Sequence, residues 1–330
     1  SYDREAFKDR KDFRFVIAQN LQVVSHQMFC GCTNLEGVYA PNLLRIEDGE
    51  LDFLSASESV GYGGFSQTAL TQIHFPLLQI VGSFAFYSCT KARTVDIPSC
   101  QKIGYESFAN CSAFTDLTLL NVSSLDTMAF LECSSLVSLT LPNVRKCGQS
   151  AFIRCKSLVS VAMLNATDIV SHSFHGCSSL TTLQLPNVET VGQNGFGKCT
   201  SLTQLELPSV KAVENCAFQE CLQLKRVVLQ NVKHIGEQAF GECAKLEEIC
   251  IPHALTAGQK AFEKCASLRQ VTLAAKEVGK FLFNECSSLQ RVSLPEIETV
   301  SNGMFYGCTS LQDLSLPNTK VIDEWAFNGC

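Results

Sequence analysis

No apolar run in this chain approaches the roughly 18 residues of a membrane-spanning helix, so the sequence predicts no transmembrane segment. Positive charge is also short. With 26 Lys and Arg against 32 Asp and Glu, the net charge is −6, which argues against a nucleic-acid partner because such surfaces carry a basic field. No Ser-His-Asp set, Gly-rich phosphate loop or pair of catalytic carboxylates stands out, so neither catalysis nor a cofactor is expected. The chain starts at Ser1 and nothing near it resembles a signal peptide, which says little about location in a processed chain. Tryptophan occurs once. Phenylalanine, by contrast, occurs 22 times and cysteine 18 times.

A chain of 330 residues would ordinarily hold two or three domains unless it is repetitive. It is repetitive. Stepping by 22 from Phe86 lands on Phe108, Phe130, Phe152, Phe174, Phe196, Phe218, Phe240 and Phe262. One residue is then lost at Phe283, and the period resumes at Phe305 and Phe327. Phe65, Phe29 and Phe7 extend the series toward the N-terminus. Cys follows three residues after most anchors, Leu six after, and a pair of Leu, Val or Ile at nine and eleven. All nine prolines fall just past that pair, apolar residues follow at about fourteen and seventeen, and Gly often comes next.

Each slot has a physical reading. The pair at nine and eleven makes a short strand with those two side chains inward. Proline cannot donate to a ladder, so it ends the strand and starts a turn. The recurrent Gly suits a turn with unusual backbone angles. The Phe-x-x-Cys segment is expected to form one helical or 3₁₀ turn. No coil alone could bury its inward side chains, but a stack of coils forms one long core. The predicted fold is a repeat solenoid of leucine-rich-repeat type, a curved right-handed stack of about 15 coils roughly 70 Å long, forming a single domain over residues 1–330.

The strand motif Leu-x-x-Leu-x-Leu matches the leucine-rich repeat. The fuller unit running from Phe174 through His175, Gly176 and Cys177 to Gly192 resembles the BspA-like leucine-rich repeats over nearly the whole chain. It departs from ordinary leucine-rich repeats in placing Val where Asn is usual, with only Cys100 fitting the Asn/Cys slot. The resemblance implies a surface or secreted binding protein, often an adhesin. Periodicity itself reports architecture only.

Thirteen cysteines share one phase and are expected to stack as an inward ladder of reduced, structural thiols: Cys32, Cys89, Cys111, Cys133, Cys155, Cys177, Cys199, Cys221, Cys243, Cys265, Cys286, Cys308 and Cys330. Adjacent rungs are near enough for disulfides in Cα distance, but their side chains should point in parallel. Cys100 and Cys147 fall on core slots. Cys30, Cys216 and Cys250 fall on otherwise polar slots, so these three are the candidates for exposed, reactive thiols. His172-x-x-His175-x-Cys177 has a superficial metal-ligand spacing, yet the His slots face outward and Cys177 inward, so no metal site is expected. Three sequons, at Asn110, Asn121 and Asn165, are near what chance supplies.

A partner should meet the strand residues that alternate with the buried pair. These are Thr94 and Asp96, Asp116 and Thr118, Ser138 and Thr140, Thr182 and Gln184, Gln204 and Glu206, then Arg226, Glu248, Gln270, Arg291 and Asp313. The face is small, hydroxylated and nearly uncharged until Arg226, and of mixed charge beyond it. It lacks the clustered aromatics of an interaction hot spot. An insertion near residues 47–63, with Asp48, Glu50, Asp52 and Glu58, is either decoration or a binding element. The chain stops at Cys330 in mid-repeat without a polar cap, which predicts a continuation or an end-to-end contact there. The expected function is a non-catalytic binding or adhesion module for a protein or glycoconjugate, at the cell surface or secreted. The alternative is an intracellular, cytoplasmic structural or assembly scaffold.

Overall fold

The computed structural model describes residues 6–55 and 58–330. The chain divides into two compact units, Ser1–Leu164 and Asn165–Cys330. Each is a parallel β-solenoid, and no helix occurs among the described residues.

Nearly every coil contributes two short strands, the coil of Ser138–Thr140 only one. The three-residue strands carry the Leu/Val pair, and successive coils pair them in parallel at the repeat register. In the first unit Leu117 opposes Leu139, which opposes Val161. In the second, Leu205 opposes Val227, which opposes Ile249. Two-residue strands form a second ladder, from Val23–Val24 to Ser124–Leu125 in one unit and from Asp168–Ile169 to Glu277–Val278 in the other. The lost residue before Phe283 appears as the pairing of Thr256 with Glu277. Alternation is visible in burial, with Leu117, Leu139, Leu205 and Val227 at 2% exposure or less while their neighbours face solvent.

The expected helical turn at the phenylalanine is instead a chain of tight turns. From Phe86 onward, residues two before and two after the anchor have left-handed backbones: Glu106 (46°) and Asn110 (61°) around Phe108, Asn194 (53°) and Lys198 (60°) around Phe196. This places Glu106 and Asn110 third in the turns closed by Ser107 N on Gly104 O and by Cys111 N on Phe108 O, as a type II turn requires. N–H groups then alternate. Phe108 and Asn110 donate to the next coil at Ala129 O and Leu131 O (both 2.8 Å), whereas Ala109 and Cys111 close turns on Glu106 O and Phe108 O (both 3.2 Å). A helical turn would spend all its donors within the coil. The turn chain keeps half of them for stacking.

Most of these left-handed residues are not glycine, which is locally costly. Glu285 (58°) is exposed and makes no side-chain bond among the described residues. Glu285→Gly is therefore expected to raise stability by about 0.5–1 kcal/mol, read from the urea midpoint; a loss of stability would contradict the strain account. The recurrent glycine of the sequence has a different reason from the one expected. Gly279 has no left-handed φ. A Cβ there would lie 2.2 Å from the Gln259 nitrogen of the preceding coil, so glycine permits close backbone approach between coils.

Buried phenylalanines stack along the core. In the first unit Phe86, Phe108, Phe130 and Phe152 stack with centroids 5.1–5.4 Å apart, and in the second Phe174, Phe196, Phe218 and Phe240 at 5.3–5.5 Å, all with nearly parallel planes. At such centroid distances parallel rings are offset, the favoured arrangement. Beside the rings runs the cysteine ladder. Each thiol donates to the carbonyl of the phenylalanine one coil back: Cys133 to Phe108 (3.2 Å), Cys221 to Phe196 (3.3 Å), Cys308 to Phe283 (3.2 Å). The Phe108 carbonyl thus receives both the Cys111 N–H and the Cys133 S–H. The slot wants a small apolar side chain carrying one weak donor, and cysteine is that residue. At the proline turn, amides of Asn121 and Asn231 do the same for Pro98 O (2.7 Å) and Pro208 O (2.6 Å). The Asn121 sequon therefore sits on a structural amide.

The insertion is an antiparallel hairpin, Glu50–Ser55 with Glu58–Tyr62. It lengthens its coil so that Arg45 pairs with Ile80, 35 residues on. Asp48 anchors its base, accepting from Ser83 N (2.8 Å) and Ser83 Oγ (2.9 Å). These bonds hold the Asp48 carboxyl below its usual pKa, the backbone N–H having the larger effect. The side chains of Asp52 and Glu58 lie outside the described residues.

Candidate binding face

The strand rows present the residues that the sequence assigned to a partner. Thr94, Asp96, Asp116, Thr118, Thr182, Gln184, Gln204, Glu206, Arg226, Glu248, Gln270, Arg291 and Asp313 are exposed; Ser138 and Thr140 are half-buried. The structure shows where these side chains point.

Within each unit, neighbours on this face bind one another. In the first, His74 Nδ1 lies 2.7 Å from an Asp96 oxygen, and Asp116 accepts the hydroxyl protons of Ser138 and Thr115. Those two hydroxyls, Ser138 first, lower the Asp116 pKa. In the second, Arg226 faces Glu248 at 3.4 Å and Arg291 donates to Gln270 (3.0 Å). Such exposed pairs add little stability. They do consume charge, leaving a face that is polar rather than strongly signed.

The three-residue ladder is not continuous. Among the described residues, Glu248–Cys250 pairs with Arg226–Val228 but not with Gln270–Thr272. A shallow depression of about 800 Å³ opens over this seam, lined by Cys250, Gln270, Thr272, Arg291, Asp313 and neighbouring apolar edges. A second seam separates Gly37–Tyr39 from Gln72–His74, with a depression of about 420 Å³ above it. The second seam borders a cluster that the sequence reading passed over. Phe15 (66% exposed), Ile17 (77%) and Tyr39 (56%) share the outward face with His74. The expected absence of clustered aromatics concerned the rows from Thr94 to Asp313; the coils before them carry exposed aromatic side chains. The signal was available: Phe15 and Ile17 stand eight and ten residues after Phe7, and Tyr39 ten after Phe29, in the same phase as Thr94 and Asp96 after Phe86.

Of the three thiols expected to be exposed, Cys250 is exposed and Cys216 half-buried, but Cys30 is buried. Cys30 packs beside Ser66, whose hydroxyl lies 3.1 Å from its sulfur. Ser66 occupies the same slot one coil on, and the stacking of the two coils covers Cys30. Cys330 is exposed as well. Burial raises the ladder thiols: Cys89 to about 11, and Cys221 and Cys308 to about 12. At neutral pH they are protonated, and so serve as donors and not as nucleophiles. The His172 and His175 rings lie 5.8 Å apart and tilted, while Cys177 is fully buried. Among the described residues no group of three His, Cys, Asp or Glu could hold a metal ion, and no helix is long and apolar enough to cross a membrane.

No curated protein matches the chain significantly. Among solved structures, it is similar to a leucine-rich repeat protein from Bacteroides ovatus, at 21% identity and TM-score 0.51, over 85% of this chain and 92% of that one. A leucine-rich cell surface protein from Faecalibacterium prausnitzii matches at 22% identity and TM-score 0.48, over 93% and 89% of the two chains. At these identities the first likeness shows the fold alone. Residues 1–57, 58–181, 167–276 and 227–330 match the BspA-type leucine-rich repeat region, in six copies. With nearly every coil covered, the chain belongs to the BspA-type leucine-rich repeat family.

Proposed function

We propose that the chain is a non-catalytic adhesion module, acting at or outside the cell surface, whose outward strand face meets a protein or glycoconjugate. The supporting observation is the face itself. Its rows of exposed hydroxyl, amide and charged side chains, from Thr94 and Asp96 through Gln204 to Asp313, are held rigidly by a ladder beneath them. Rigid presentation lowers the ordering cost of binding. Family membership supports a binding role and a surface location.

The test is retention of the purified chain on immobilised mucin and fibronectin. Thr182→Arg and Gln204→Arg, which place bulk and charge on the strand face, are expected to lower retention at least about tenfold. Lys233→Glu, half-buried before a two-residue strand, should leave it unchanged. Equal retention by all three variants and the parent would end this assignment of the face. The intracellular scaffold reading has one observation in its favour, the free and exposed Cys250. Protein isolated from its source with Cys250 in a disulfide would remove that support.

A further inference from the structure

The first coils of the strand face differ from the rest in chemistry. Gly37 leaves a gap in the outward row, and the Phe15 ring lies over it: a Cβ on Gly37 would meet the ring at 3.1 Å. One edge of the ring, Cδ1 and Cε1, fills the gap, the Arg14 guanidinium lies over the ring 5.7 Å from its centroid, and two-thirds of the residue stays open to solvent. Tyr39, beside it, has no hydrogen-bond partner for its hydroxyl among the described residues. The seam toward Gln72–His74 exists because the 35-residue coil intervenes, and the strands on its two sides are linked there by a bond from Thr71 N to Glu36 O (3.1 Å). What results is an aromatic floor with an amide and imidazole rim.

Charge selects the occupant. Arg14 is held by Glu36 through two bonds (3.0 and 2.6 Å), and His74 by Asp96 (2.7 Å). The two ionic groups that line the depression, Glu36 and His74, thus each have an internal partner, which weakens its pull on a charged peptide or phosphate. The depression, about 420 Å³, is of small-ligand size and far below what a stable protein interface covers. A neutral molecule with one apolar face and a hydroxyl edge fits both facts. We infer that this depression is a subsite for a neutral hexopyranosyl unit, its C–H face on Phe15 and Tyr39 and its hydroxyls toward Gln72 and His74. The inference rests on the strand face being the binding surface, and narrows one part of it to a sugar.

The test titrates the full chain calorimetrically with cellotetraose, maltotetraose, mannotetraose and chitotetraose. At least one is expected to bind, and Phe15→Ala and Tyr39→Ala to weaken it at least about tenfold. Tyr39→Phe, which keeps the ring, should stay within about threefold of the parent. Gly37→Val should weaken binding by lifting Phe15, and Gln204→Ala, distant on the sequence, should not change it. Thermal melts confirm that these surface variants fold. Absence of binding by all four sugars at 10 mM (about the weakest affinity worth calling a site), or binding indifferent to Phe15 and Tyr39, overturns the inference. The mucin and fibronectin assay separates the two proposals. If Thr182→Arg abolishes retention while no tetrasaccharide binds, the face stands and the sugar subsite falls. If Phe15→Ala and Tyr39→Ala lose retention on enzymatically deglycosylated fibronectin as well, the floor is a peptide site and the sugar inference is again wrong.

Discussion

Replacing Phe196 by alanine is expected to destabilise the second unit by about 3–5 kcal/mol. The side chain is fully buried and stacks on Phe174 at 5.3 Å and Phe218 at 5.5 Å. In a globular core, surrounding side chains relax partly into a cavity. In a solenoid each coil contacts only its two neighbours, so the void at Phe196 is framed by backbones locked in ladders and has little to collapse it. The left-handed residues Asn194 and Lys198 flank the site, and their N–H groups are bonded to the next coil at Asn215 O (3.0 Å) and Gln219 O (2.8 Å), so the backbone around the void is fixed. Phe196→Leu, keeping most of the volume, should cost about 1–1.5 kcal/mol. Phe15→Ala, an exposed change, should cost under about 0.5 kcal/mol. Urea unfolding followed by circular dichroism gives all three. A Phe196→Ala loss below that of Phe196→Leu would show that the ring stack does not carry the core.

Raising the pH should unfold the chain steeply above about pH 9, with reductant present throughout. A buried thiolate is disfavoured because it loses its hydration, so the ladder thiols are raised: Cys221 and Cys308 to about 12, with Cys199, Cys243, Cys265 and Cys286 higher than their usual range for the same reason. A group whose folded pKa is raised contributes its full stability below the unfolded value and loses it as pH climbs toward the folded one. The unfolded thiols titrate near 9 while the folded ones stay neutral. Each then costs about 1.4 kcal/mol per pH unit. Six such thiols in one unit give a slope on the order of 8 kcal/mol per pH unit, enough to exhaust a typical folding free energy of about 5–15 kcal/mol within roughly two units. Replacing Cys221 and Cys243 by alanine should lower stability at pH 7, because the thiol donors to Phe196 and Phe218 are lost. The same variant should have a shallower alkaline slope. A slope identical to that of the parent would mean that other groups drive the transition.

These expectations depend on features of unequal visibility in the sequence. The anchors at Phe86 to Phe262 have a strict period, and each inward slot is filled by the same chemistry in coil after coil. Inwardness, strand location and the proline turn could therefore be read directly, since burial restricts side-chain type. The left-handed pair around each anchor could not. Those slots hold Glu106, Asn110, Met128, Lys198, Cys216 and Trp325, with no common side chain, because the constraint falls on φ alone while the side chains reach solvent or pack variably. A reader of residue types has nothing to count there. The recurrent glycine was visible as a slot, but its cause was not: Gly279 answers to the Gln259 backbone of another coil, a distance that exists only after stacking.

The candidate site divides the same way. Phase alone assigned Thr182, Gln184, Arg226 and Glu248 to the outward rows. Phase also held the information for Phe15 and Tyr39, in coils where the long insertion obscures the register. Cys30 shows the limit of phase. Its slot holds residues as different as Ala109, Gln219 and Glu263, and only the stacking against Ser66 of the next coil shows that Cys30 is buried. The sequence by itself determined the repeat, the inward ladders of Phe, Cys and Leu, and the outward rows, because these follow from a period acting on hydrophobicity. Only the tertiary structure decided which carbonyl each thiol serves, where the ladder opens into seams, and that an edge of Phe15 fills the gap at Gly37. These are relations between coils, set by distances that a one-dimensional pattern does not contain.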